Sequence, residues 1–147
     1  GPPGCAKTSL VKALCTELNA NFVYLDGAGL ISAYVGESER MLRDAFACAA
    51  ERAPSIMFFD EVEMIGGRRK EDSKGGSDNA RLLSTLLMEL DGFHSANDVL
   101  FVGATNMPHL LDPALLRPGR LDQLIHVGLP TSLEREDMFR VILGAAA

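Results

Sequence analysis

Long apolar runs are absent from this sequence, and cysteine is scarce. No apolar stretch approaches the roughly 18 residues that a membrane-spanning helix needs, because charged residues interrupt the chain too often. The first residues are glycine and proline, without the basic and apolar regions of a signal peptide. The three cysteines, Cys5, Cys15 and Cys48, are odd in number and form no C-x-x-C pair. Free thiols in a reducing compartment, cytoplasmic or nuclear, are therefore expected.

An excess of positive charge is also absent. The chain has 14 lysines and arginines against 20 aspartates and glutamates, which gives a net charge of −6. Proteins that bind duplex nucleic acid gain affinity from lysine and arginine side chains that displace counterions. The acidic balance therefore disfavours a nucleic-acid partner, although a local basic patch would be enough to keep that alternative open.

The length of 147 residues is enough for one core and one domain. A phosphate-binding pattern occupies the first residues, and such a loop normally follows a buried strand. At the other end, a helical pattern continues into the last residues. We therefore expect the sequence to be part of a longer polypeptide.

Strand and helix patterns alternate along the chain, which predicts an α/β fold with a parallel sheet between helices. Four apolar segments have the length and composition of strands: 21–26, 55–61, 98–106 and 124–130. Helical spacing of apolar residues predicts helices over 8–20, 37–52, 80–93 and from 131 onward. A stretch rich in glycine and charge, 66–79, is predicted to be a loop. Sheets of this kind bind ligands beyond the carboxyl ends of their strands.

The opening segment GPPGCAKTS matches the phosphate-binding pattern G-x-x-x-x-G-K-[ST], except that Ala6 replaces the second glycine. The backbone N–H groups of such a loop surround phosphates, and alanine keeps its N–H. The replacement costs little if residue 6 has negative φ, and about 1–2 kcal/mol if φ is positive. Lys7 is predicted to neutralise the β- and γ-phosphates of a nucleotide and Thr8 to ligate Mg²⁺. The predicted phosphate-binding residues are Gly1, Pro2, Pro3, Gly4, Cys5, Ala6, Lys7, Thr8 and Ser9.

A second signal is the segment IMFFDE, in which an apolar strand ends in two carboxylates. Adjacent acids are common on surfaces, but at the end of a fully apolar strand their desolvation is costly without a cation. Asp60 is predicted to hold Mg²⁺, and Glu61 to polarise a water that attacks the γ-phosphate. Together with the opening loop, this strand strongly favours nucleotide binding.

Two further segments fit the same site. Asn106 ends the predicted strand VGATN, where its amide can orient the attacking water; a turn-forming asparagine is the alternative. Arg117 and Arg120 flank a Pro-Gly break in LRPGR. Paired guanidinium groups suit phosphate recognition, and an arginine finger that stabilises transition-state charge is worth roughly 10³–10⁵ in rate. Two surface arginines in a turn are the alternative here.

The segments GPPGCAKT, YVGESE, FFDE, ELDGF, GATN and LRPGRLDQLI follow the order and spacing found in AAA-type ATPases. The chain is similar to an ATPase domain of the valosin-containing-protein and spermatogenesis-associated group, from residue 1 to about residue 140. The resemblance implies a three-layer P-loop NTPase fold with a parallel sheet. It also implies that residues 1–130 form the large subdomain, without its first strand, and that residues 131–147 begin the helical lid, most of which is missing.

The resemblance assigns roles to several residues. Asp60 and Glu61 become the Walker B pair and Asn106 the first sensor. Arg117 and Arg120 become fingers that reach the nucleotide of a neighbouring subunit.

In the same resemblance, residues 91–93 become a signalling element between subunits. Tyr34 and Val35 match a loop that grips polypeptide in the pore of a ring, and Ala33 departs from the basic or bulky residue usual before the aromatic. The implied activity is Mg²⁺- and ATP-dependent remodelling or unfolding of proteins by a homo-hexamer or related ring, with adaptor proteins as further partners.

Two other classes of function stay open at this point. One is a scaffold that binds ATP in order to assemble and hydrolyses little of it. The other is a nucleic-acid motor, which the acidic composition and the aromatic pore residue disfavour. Ribosome maturation and extraction of ubiquitin-tagged proteins are alternative roles implied by the resemblance.

Overall fold

The computed structural model describes residues 1–32, 36–67, 76–93 and 98–144. Within these ranges lie three strands, β1 (Asn21–Asp26), β2 (Ser55–Asp60) and β3 (Val99–Gly103). The α-helices are α1 (Lys7–Glu17), α2 (Gly27–Ser32), α3 (Glu37–Glu51), α4 (Val62–Gly66), α5 (Gly76–Gly92) and α6 (Ser132–Gly144). Two 3₁₀ turns, Pro108–Leu110 and Pro113–Leu116, follow β3. No helix in these ranges is both long and apolar enough to cross a bilayer.

The three strands form one parallel sheet in the order β1-β2-β3. Asp26 lies opposite Asp60 in the register, and Phe59 lies opposite Gly103, so the three carboxyl ends are level. The loops that leave these ends therefore share one edge of the sheet. The α/β class and the parallel sheet predicted from the sequence are confirmed.

Strand β2 is central, and its side chains alternate between two apolar cores. Met57 and Phe59 join the larger core, which α2, α3, α4 and α5 complete. Ile56 and Phe58 point the other way, where Val11 and Cys15 of α1 pack on them. A strand that is buried on both faces has apolar residues at every position, which is why β2 could be predicted from the sequence. The result is three layers, with the sheet in the middle.

Helix α3 shows how the local sequence sets an element. Gly36, at φ 87°, precedes the first helical residue in a left-handed conformation that glycine adopts without strain. Leu42, Phe46 and Ala49 are buried along one side, at the spacing of a helix face that packs on a core. The Ser38 hydroxyl donates to the Leu30 carbonyl at 2.6 Å, which ties α3 to α2.

Four elements differ from the sequence expectation. Strand β3 ends at Gly103, so Asn106 lies three residues beyond the strand that it was predicted to end. The five-residue helix α4 lies where no helix was predicted, and α5 begins at Gly76, inside the predicted loop. The strand predicted over 124–130 is wrong, because these residues have no regular structure and pair with none of the three strands. An alternating pattern becomes a strand only where a neighbouring strand supplies hydrogen bonds.

Candidate functional site

The opening loop leads directly into α1 and has two residues in the left-handed conformation. Gly4 has φ 79° and Ala6 has φ 57°. The positive φ of Ala6 decides the question left open by the sequence: the alanine is strained, at a cost of about 1–2 kcal/mol. The loop is open to solvent, since Gly1, Pro2, Cys5, Lys7 and Thr8 are partly exposed and Pro3, Gly4, Ala6 and Ser9 are exposed.

Lys7 folds back over this loop. Its Nζ donates to the Gly1 carbonyl at 2.8 Å, the Pro2 carbonyl at 2.7 Å and Asn106 Oδ1 at 2.7 Å. An ammonium group has three N–H donors, so all three are used. A phosphate that binds Lys7 must therefore replace at least one of these acceptors, and the Asn106 amide is one of them.

Thr8 and Asp60 meet across the gap between α1 and β2. The Thr8 hydroxyl donates to Asp60 Oδ2 at 2.9 Å, and the other carboxylate oxygen accepts from the Glu61 backbone N–H at 3.1 Å. A hydroxyl and a carboxylate that converge in this way are oxygen donors that suit Mg²⁺. The two residues predicted to hold the metal are thus together.

Glu61 lies at the turn after β2 with φ 51°, an uncommon conformation for a residue other than glycine. Its side chain is exposed, beside the partly buried Asp60. Gly27 packs tightly beneath this turn, since a Cβ on Gly27 would lie 2.5 Å from the Glu61 carbonyl oxygen. The absence of a side chain at Gly27 therefore permits the turn that presents the Glu61 carboxylate to solvent.

Tyr24 of β1 lies close to the same edge, on the α1 side of the sheet. Its ring contacts Phe58, with centroids 6.1 Å apart. Partial burial and then the negative charges of Asp60 and Asp26 raise the pKa of the Tyr24 phenol. The raised pKa keeps the phenol neutral at ordinary pH.

The two predicted finger arginines have different surroundings. Arg117 is exposed. The Arg120 guanidinium, whose side chain is only 13% exposed, makes a bidentate pair with Asp91: Nε to Oδ1 and Nη2 to Oδ2, both at 2.7 Å. It also donates to the Ala114 carbonyl at 2.6 Å. The pKa of Arg120 is raised mainly by its hydrogen bonds to Asp91.

Asp91 and Phe93 belong to the segment predicted to signal between subunits. Phe93 packs edge-on against Phe46 and Phe101, with centroids 5.4 Å and 5.7 Å away. This anchors the end of α5 to the larger core, next to the Arg120 pair. The predicted pore residues Tyr34 and Val35 lie outside the described residues.

Sequence reasoning missed three residues near this edge: Gly27, Tyr24 and Glu63. Glu63 is only 7% exposed. Its Oε1 accepts from the Asn106 backbone N–H at 3.4 Å. The available signals were a glycine directly after a strand and a charged residue within the largely apolar segment VEMIG. Neither signal says which backbone the residue approaches.

A parallel sheet with a glycine-containing loop, its lysine, and a threonine–aspartate pair at the strand ends defines the phosphate-loop class of α/β proteins. Within that class, the chain belongs to the ATPase family associated with various cellular activities (AAA), whose family model matches residues 1–129. The resemblance seen in the sequence is therefore confirmed at the level of the family.

Three relatives illustrate the match. The proteasome-activating nucleotidase of Thermococcus onnurineus (strain NA1) is 44% identical over 142 residues, which are 96% of this chain and 36% of that protein. The peroxisomal ATPase PEX6 of Rattus norvegicus is 49% identical over 97% of this chain and 14% of its own length. The ATPase family protein 2 homolog of Caenorhabditis elegans is 49% identical over 92% of this chain and 18% of its own length. The chain thus spans about a third or less of these relatives.

Proposed function

We propose that this chain is the ATP-hydrolysing domain of a ring-forming protein that remodels or unfolds other proteins. The observation that carries the proposal is the convergence of Lys7, the Thr8–Asp60 pair, Glu61 and Asn106 at one edge of the parallel sheet. Membership of the AAA family and the words nucleotidase and ATPase in the names of its relatives support it.

Phosphate binding falls to residues 1–9. In the proposal, backbone N–H groups of the loop and the first turn of α1 surround the β- and γ-phosphates. Lys7 leaves one or more of its present acceptors and pairs with phosphate oxygens instead. The exposed surface of the loop leaves room for this exchange.

Mg²⁺ fits the donor set formed by Thr8 and Asp60. The described residues contain no group of three or more His, Cys, Asp or Glu arranged for a metal. This agrees with an ion that takes one carboxylate, one hydroxyl, waters and phosphate oxygens. When bound, Mg²⁺ would neutralise negative charge on the β- and γ-phosphates. Asp60 also anchors the turn through the Glu61 N–H.

The catalytic step is assigned to Glu61 and Asn106. The exposed Glu61 carboxylate accepts a proton from the water that attacks the γ-phosphate. The Asn106 amide, once Lys7 has moved to the phosphates, is free to hydrogen-bond the same water. Arg117 and Arg120 complete the site of a neighbouring subunit. Arg117 is exposed and can reach that site as it stands, whereas Arg120 must first leave Asp91.

The substrate is proposed to be a polypeptide, held in the pore of the ring by Tyr34 and Val35. Residues 1–130 would form the large subdomain and residues 131–147 would begin the helical lid. The exposure of every side chain in α6 supports this division, because α6 contributes nothing to either core.

The test is Glu61→Gln in the full-length protein. The amide cannot accept the proton, so hydrolysis should fall at least about 100-fold, whereas binding of a fluorescent ATP analogue should stay within about threefold. Steady-state phosphate release and fluorescence titration measure the two quantities. The matched control is Glu51→Gln, which changes an exposed acid at the end of α3 and should leave both unchanged.

Three results would contradict the proposal. Normal turnover by Glu61→Gln would remove the assigned base. Nucleotide binding by the wild-type protein with negligible hydrolysis would favour the assembly scaffold. Tight, salt-dependent binding of DNA or RNA that stimulates hydrolysis would favour the nucleic-acid motor.

A further inference from the structure

Glu63 is a buried carboxylate that the proposed mechanism does not use. It lies in α4, two residues after Glu61, and is only 7% exposed. Oε1 accepts the Asn106 N–H at 3.4 Å, and Oε2 is buried without a hydrogen-bond partner among the described residues. Burying a carboxylate with half of its acceptors unused is costly, so its retention calls for a specific reason.

The backbone around Glu63 joins the turns that follow β2 and β3. The Ala104 N–H donates to the Phe59 carbonyl at 2.8 Å, and the Val62 N–H donates to the Ala104 carbonyl at 3.0 Å. The Glu63 carboxylate adds the next connection, to Asn106. These three bonds fix the turn that carries Asn106 against the turn that carries Glu61.

We propose that Glu63 is a positioning residue for hydrolysis, which holds the Asn106 backbone so that the Asn106 amide reaches the attacking water beside Glu61. This inference rests on the proposed ATP hydrolysis. Glu63 binds the backbone of Asn106 and not its side chain. The amide can therefore exchange Lys7 for a water while the Asn106 backbone stays fixed. The unused Oε2 is not needed for this role.

The first test compares Glu63→Leu with Glu63→Gln in the full-length protein. Leucine removes the acceptor, whereas glutamine keeps one oxygen for the Asn106 backbone N–H. We expect kcat to fall about tenfold in Glu63→Leu and to recover to within about threefold of wild type in Glu63→Gln. KM for ATP and the affinity for a fluorescent ADP analogue should stay within about twofold, because the Glu63 side chain makes no hydrogen bond with residues 1–9.

A double mutant separates positioning from general damage. If Glu63 acts through Asn106, then Glu63→Leu should cause no further loss of kcat in an Asn106→Ala background. If the fold-loss of kcat in the double mutant equals the product of the fold-losses in the two single mutants, the inference is overturned. Wild-type kcat in Glu63→Leu, or a loss in Glu63→Gln equal to that in Glu63→Leu, would also overturn it.

A readout without catalysis tests the contact between Glu63 and Asn106 even if the protein hydrolyses no ATP. Hydrogen exchange of the Asn106 backbone N–H should be at least about tenfold faster in Glu63→Leu than in wild type. In Glu63→Gln the exchange rate should be near that of wild type. Unchanged exchange would refute the contact. Absence of hydrolysis by the wild-type protein would refute the proposed function and with it the positioning role, whereas the exchange rate would still test the contact between Glu63 and the Asn106 backbone N–H.

Discussion

Strained residues mark both sides of the proposed site. Ala6 and Glu61 have φ of 57° and 51°, values at which most side chains are disfavoured. Glu61 gains from its conformation, because the turn places its carboxylate in solvent beside Asp60. Ala6 has no such compensation: its methyl group is exposed and its N–H would be available from glycine as well.

This strain predicts that Ala6→Gly stabilises the protein. Glycine adopts positive φ freely, so about 1 kcal/mol of strain should be relieved, partly offset by the greater entropy of the unfolded chain. Chemical unfolding of the full-length protein measures the change. Ala47→Gly, at an exposed position inside α3, is the control and should cost about 1 kcal/mol. Equal destabilisation by both variants would show that Ala6 is not strained.

At the level of elements, the end of α5 is joined to the second 3₁₀ turn through Arg120. Its bidentate pair with Asp91 and its bond to the Ala114 carbonyl connect residues 91–93, which are predicted to signal between subunits, with the segment that carries Arg117. For Arg120 to reach a neighbouring nucleotide it must give up Asp91. The pair therefore links the two segments within the chain, and in the proposed ring any movement of Arg120 would be felt at Asp91.

A double-mutant cycle tests whether this pair stabilises the fold. Arg120→Ala and Asp91→Ala should show a coupling of about 1 kcal/mol in unfolding free energy, because the guanidinium is largely buried and the geometry is bidentate. The control cycle is Arg140 with Glu136 on α6, where the side chains are 70% and 59% exposed. That pair should couple by no more than about 0.5 kcal/mol. Equal coupling energies in both cycles would show that burial and bidentate geometry do not strengthen the Arg120–Asp91 pair.

At the scale of the whole molecule, the proposed function predicts that a neighbouring subunit completes the site. Arg117 is exposed in the turn between the 3₁₀ segments and residues 121–131. In the proposed ring, Arg117 of one subunit would supply a further cation to the transition-state charge at the γ-phosphate of its neighbour. Hydrolysis should therefore depend on assembly and on the composition of the ring.

Mixed rings test this dependence. Arg117→Ala subunits keep Glu61, and Glu61→Gln subunits keep Arg117, so each alone should have little activity. A mixed ring should recover activity, because a Glu61→Gln subunit can supply Arg117 to a neighbour with an intact Glu61. Phosphate release from co-assembled subunits measures the recovery, and the two homogeneous rings are the controls. An inactive mixture that still forms rings would exclude action in trans.

Much of the site could be predicted from the sequence because its signals are local. Lys7 and Thr8 follow a loop pattern, and Asp60 and Glu61 end an apolar run, so spacing alone placed them at the correct ends of elements. The strand at 124–130 failed because strand formation depends on a neighbour that spacing does not specify. The conformation of residue 6 could not be predicted from the sequence either. Alanine normally has negative φ, and only the path of the folded loop requires the positive φ of Ala6.

The sequence by itself determined the class of fold, the buried central strand and the chemical groups of the site, because these follow from periodicity and residue type. Only the tertiary structure decided which groups meet. It brings Lys7 into a hydrogen bond with the Asn106 side chain and Arg120 into one with Asp91. It also places the buried Glu63 carboxylate against the Asn106 backbone N–H. Contacts between residues 29, 43 and 99 positions apart depend on strand order and loop path. Those are fixed when the two cores pack on the sheet, and no short stretch of sequence encodes them.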